Sequence, residues 1–87
     1  MDAEKMLLDN GYEDVTYLTN YSYDDALIGV SSDNRAIYSF NLMIEWLIEK
    51  EGLSMDEAIE WIELNTIRAL DYSGENGPII MYPLERF

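Results

Sequence analysis

Gly52-Leu53-Ser54-Met55-Asp56-Glu57-Ala58-Ile59-Glu60-Trp61-Ile62-Glu63-Leu64-Asn65-Thr66 is the stretch that decides the fold. Ser54 and Glu57 have the spacing of a capping box, in which the Ser hydroxyl reaches forward and the Glu carboxylate reaches back. A helix is therefore predicted from Met55 to at least Asn65, and as far as Leu70. Met55, Ala58, Ile59, Ile62 and Thr66 follow the i, i+3, i+4, i+7 rule, which makes them its buried stripe. Gly52 closes a preceding helix that Asn41 can cap and that runs to about Glu51. Trp46 and Trp61 then lie on facing helices and are read as core. Leu64 sits off the main stripe, and the helix from Leu42 is apolar over more than half its circumference. Either the sheet and the next helix bury both sides, or a homodimer does.

The rest of the chain supplies a sheet. Leu27–Ser31 and Arg35–Phe40 read as strands joined by the turn-forming Ser32-Asp33-Asn34, hence a hairpin. Val15 and Tyr17 have the β-branched and aromatic character of another strand. A short helix over residues 3–10, with Met6 and Leu7 inward, ends at Asn10-Gly11. Gly74-Glu75-Asn76-Gly77 is a turn before a last edge strand, Pro78 to Tyr82. The order α-β-β-β-α-α-β predicts an α+β domain: a small antiparallel sheet of three to four strands with helices on one face. The 87 residues form one domain, because neither half has enough chain for a core of its own.

Charge is the strongest compositional signal. Eighteen acids face five bases, a net charge of −13, while 48% of residues are apolar. Enough apolar material is present to fold, and the field around the fold repels nucleic acid and anionic membranes. The expected partner is a basic protein surface. Asp2 and Glu4 stand where a secretory signal would be basic, and no apolar run approaches membrane length, so a cytoplasmic protein is expected.

Catalytic machinery is missing from the sequence. Cys and His are both absent, which excludes disulfides, thiolate zinc sites and Ser-His or Cys-His nucleophile pairs. A Ser-x-x-Lys dyad fails because Asp2 and Leu47 precede Lys5 and Lys50 at that spacing. A carboxylate-Lys nuclease pattern fails because Ala3 and Ile48 stand two positions before them. The scattered glycines form neither a P-loop nor a dinucleotide fingerprint. A pair of carboxylates for glycoside hydrolysis needs a cleft that so short a chain has little room to build. Asp71 to Tyr82 superficially resembles a calcium loop, but Asn76 and Tyr82 occupy the positions that require Gly and Glu. No enzyme, no cofactor and no metal are expected.

Two acidic arrays remain as candidate partner-binding sites. On the helix from Met55, Asp56, Glu60 and Glu63 share the face opposite the buried stripe, with Glu57 at its edge and no Lys or Arg among them. Glu45 and Glu49 repeat this on the preceding helix. Acids four apart are separated by about 6 Å along the axis, comparable with neighbouring phosphates on a nucleic-acid strand. An ordinary solvated face would mix signs. The second array runs from Tyr12 through Tyr21, Tyr23, Asp24 and Asp25, where acid beside aromatic suits a surface that meets arginine. Equally, these tyrosines can serve the core.

Glu51 to Glu63, with Asn65-Thr66-Ile67-Arg68-Ala69-Leu70 and Pro78-Ile79-Ile80-Met81-Tyr82, resembles small proteins of bacterial mobile elements. These residues make up about a third of the chain and hold no motif tied to a mechanism. In size, acidity and lack of catalytic residues the whole chain also resembles anti-CRISPR and anti-restriction inhibitors, some of which imitate nucleic acid. That resemblance implies an inhibitor filling the basic groove of a nuclease, an RNA-guided effector first among them. The likeness is one of type and assigns no residue a role. The alternative expectation is a non-enzymatic interaction module, such as a regulatory subunit or antitoxin-like partner, docking through an apolar patch with an acidic rim. A homodimeric structural protein is the third.

Overall fold

The computed structural model describes residues 2–19, 21–70 and 76–84. Helix α1 spans Ala3–Asp9, begun by the Asp2 side chain accepting from the Lys5 amide at 2.7 Å. Gly11, at φ +87°, turns the chain out of it, and Leu7 is buried as expected. Strands β1 (Leu27–Val30) and β2 (Ala36–Ser39) form the antiparallel hairpin, with Asn34 in the left-handed region at its turn. Helix α2 spans Phe40–Glu51, and α3 spans Met55–Trp61. Strand β3 is Ile79–Met81, at the edge of a sheet ordered β1-β2-β3. With 49% of the described residues in helix and 14% in strand, this is a small α+β fold.

Four local expectations are corrected. First, β3 pairs with β2 in parallel, Ile37 opposite Ile79 and Ser39 opposite Met81, so the sheet is mixed. The long helical connection permits either direction, and no local pattern encodes which is taken. Second, the Val15–Tyr17 segment is not a strand. Val15 is buried, but the nearby Leu18 amide donates to the Tyr38 hydroxyl at 3.0 Å instead of entering a ladder. Third, the cap of α2 is Ser39 rather than Asn41: this last residue of β2 is extended, and its hydroxyl accepts from the Leu42 amide. Fourth, Met55 is 61% exposed, because the first turn of α3 projects beyond the core.

Beyond α3 the chain stays helical but widens into a π-helical stretch, Ile62–Ile67, before a last α-turn, Arg68–Leu70. Residues four apart overshoot a full α-helical turn by about 40°. A π-turn falls short of one, so it reverses that drift. Ala58, Ile62 and Thr66 are thereby kept in line, and all three are buried. The expected Gly74–Gly77 turn falls partly outside the described residues, as does the start of the calcium-loop comparison at Asp71.

The capping box forms as read. Ser54 N–H donates to Glu57 Oε1 at 2.9 Å, and Glu57 N–H donates to Ser54 Oγ at 3.2 Å. The Ser54 backbone N–H first, and then the Ser54 hydroxyl, hold the Glu57 carboxyl below its ordinary value of 4.5. A depressed folded pKa stabilises above the unfolded value and is lost as pH falls through the folded one. Ser54→Ala is expected to destabilise by about 1 kcal/mol near neutral pH. The pH-dependent part belongs to Glu57: the extra stability of the parent over Glu57→Gln should shrink as pH drops below 4.5, measured by urea melts across the acid range.

Candidate partner-binding surface

The Tyr-acid segment turns out to be mostly structural. Tyr21 and Tyr23 both adopt left-handed backbone, at φ +61° and +49°, and both rings pack against the core. Tyr23 is wholly buried and shares a hydrogen bond of 2.9 Å with Thr66 in the π-helical stretch. Its ring lies 5.3 Å from Trp46. Tyr21 is half-buried, with ring centroids 5.9 Å from Trp46 and 5.1 Å from Trp61. Tyr23 is therefore corrected from candidate surface to core: a ring with no exposed area cannot meet a partner. Asp24 is held by the fold, accepting from the Ala3 amide at 2.9 Å and so tying the 3-10 turn Asp24–Ala26 to α1. Of the acids in this array, Glu13, Asp14 and Asp25 are exposed.

Burial raises the Tyr23 phenol above its usual 10.0, against the opposing pull of its hydrogen bond with Thr66. The neighbouring Trp61 indole N–H is buried without a hydrogen-bond partner. Tyr21 is raised by burial first and then by the Glu51 carboxylate.

The helix acids are placed as the wheel predicts. Asp56, Glu57, Glu60, Glu63, Glu45 and Glu49 are all exposed. Asp56 and Glu57 lie in the first turn of α3, where negative charge also suits the helix dipole. Glu60 and Glu63 have no such local reward. Among the described residues no three acidic side chains converge where they could hold a metal ion.

A shallow groove adjoins this face, lined by Leu53, Glu57, Glu60, Trp61, Leu64 and Asn65. Sequence reasoning did not assemble it, although Leu64 off the buried stripe was its visible trace; that side chain is 54% exposed. A second groove, between α1 and β1, is lined by residues such as Met6, Leu7, Tyr12 and Ile28 and by no charged side chain. Among the described residues no helix is long and apolar enough to cross a membrane. Compared with known proteins, the chain matches no family model, no curated protein and no solved structure at a significant level.

Proposed function

We propose that this protein is a nucleic-acid mimic that inhibits a nuclease by occupying its basic nucleic-acid groove. The observation that carries the reading is the exposed acidic face Asp56-Glu60-Glu63, on a stretch from Met55 to Ile67 that holds no basic residue, with Glu45 and Glu49 exposed on α2. Like charges at these spacings oppose the helix by a few tenths of a kcal/mol per pair. A face that works against its own helix fits charge retained for binding. The protein then acts in the cytoplasm by occupancy alone, without catalysis, cofactor or direct contact with nucleic acid. The resemblance to anti-CRISPR inhibitors makes an RNA-guided, Cas9-type effector the first target to test, since its channel and duplex-reading arginines are strongly basic.

The test is order of addition. Protein added to the guide-loaded effector before labelled DNA should abolish DNA binding, and protein added afterwards should not. Inhibition should weaken steeply between about 50 and 200 mM salt, as ion pairing requires. A second reading, apolar docking with an acidic rim, is favoured by exposed Met55 and Leu64. Inhibition indifferent to salt would select it over mimicry.

A further inference from the structure

The groove beside Trp61 has the composition of a site for one particular side chain. Glu57 and Trp61 are four apart on the helix, as are Glu60 and Leu64, so each carboxylate neighbours an apolar group. Glu57 and Glu60 form one row and Trp61 and Leu64 the next, with Leu53 closing the end toward the turn. Tyr21 packs on Trp61 from within, at 5.1 Å, and the half-buried indole still contributes to the groove wall. Glu57 directs Oε1 to the Ser54 amide, which fixes the carboxylate in place.

Three kinds of occupant can be compared. An apolar side chain would desolvate Glu57 and Glu60 without giving them a partner. A lysine ammonium would pair with them, but it is compact and strongly hydrated and gains little from Leu53 and Leu64. A guanidinium is planar and weakly hydrated, stacks on an indole, and offers N–H donors at its edge to carboxylates. The net charge of −13 draws the same kind of partner from a distance.

We propose that this groove is a pocket for an arginine side chain of the partner, stacked against Trp61 and paired with Glu57 and Glu60. The inference rests on the reading that the partner is basic, and it does not require the partner to be a nuclease. It divides the labour of the surface: the Asp56-Glu60-Glu63 face attracts any cation, while the groove selects arginine over lysine.

The experiment is a nuclear magnetic resonance titration of the whole protein with oligo-arginine and oligo-lysine peptides of equal length. Arginine should bind about three- to tenfold more tightly, a margin set by stacking and bidentate pairing. It should shift the Trp61 indole and Leu64 methyl signals, and lysine should not. Glu60→Gln, an exposed change whose melting temperature serves as the folding control, should narrow that preference, because it removes one of the two carboxylates with which the guanidinium pairs. Equal affinities without groove shifts, or a Glu60→Gln variant that keeps full preference, would overturn the pocket. Nuclease inhibition could survive that result through the acidic face. Conversely, arginine selection at the groove without inhibition of any nuclease supports the pocket and rejects the nuclease reading.

Discussion

Tyr23→Ala is expected to lower the unfolding free energy by about 3–5 kcal/mol, the range for truncating a buried aromatic ring. An 87-residue domain has roughly 4–13 kcal/mol in total, so this one change can consume most of it. The reasons converge on one side chain. Tyr23 is fully buried, lies against Trp46 and Tyr21, and ties the 3-10 turn to the π-helical stretch through Thr66. It also holds a left-handed backbone that a β-carbon disfavours, which only its inward packing can offset. Tyr23→Phe keeps the ring and loses the hydrogen bond, leaving the Thr66 hydroxyl buried alone, and should cost about 1 kcal/mol. A raised phenol pKa stabilises below the unfolded value of 10.0 and is lost as pH climbs through the folded one. Tyr23→Phe should therefore also soften the alkaline unfolding of the parent above that pH. Urea melts measure all three. An alanine variant with the parent's midpoint would return Tyr23 to the surface.

The second large effect is on binding. Changing Asp56→Asn, Glu60→Gln and Glu63→Gln together is expected to weaken the partner complex about 10- to 100-fold while leaving the fold intact. All three side chains are exposed, so neither packing nor a buried hydrogen bond changes. Stability should rise slightly. Repulsion at i, i+3 and i, i+4 amounts to a few tenths of a kcal/mol per pair, partly offset because Asp56 favours the helix N-terminus. Higher stability with weaker binding is the pattern of charge kept for function. Calorimetric melting and the order-of-addition assay read the two halves separately. If the triple variant inhibits like the parent, the α3 face is not the mimic. Glu45, Glu49 and Asp25 would then be the acids to change, since Tyr23 and Asp24 are committed to the fold.

Much of this fold is local in origin, and that part is legible in the amino-acid sequence. The Ser54–Glu57 box, Gly52 at φ +69°, the Asn34 turn and the stripe Ala58, Ile62, Thr66 each arise from residues a few positions apart. Short-range geometry is enough to specify them. The acidic faces were legible for the same reason: a helix fixes which residues look outward once its buried stripe is known.

Other features needed the three-dimensional arrangement because they join residues far apart in the chain. Only packing across 43 positions gives Tyr23 its Thr66 partner and removes it from the surface. Tyr38 is likewise the residue that satisfies Leu18 and spares that segment a strand partner. The parallel entry of β3 depends on the path of a long connection. The sequence by itself determined the Ser54–Glu57 cap, the Asn34 turn, the Ala58-Ile62-Thr66 stripe and the charge, since these are set within a turn or two of backbone, whereas the cap of α2 passed to Ser39 because β2 runs directly into that helix. Tertiary structure alone decided which tyrosines are core and how the sheet is ordered, since burial and long-range pairing are properties of the packed whole.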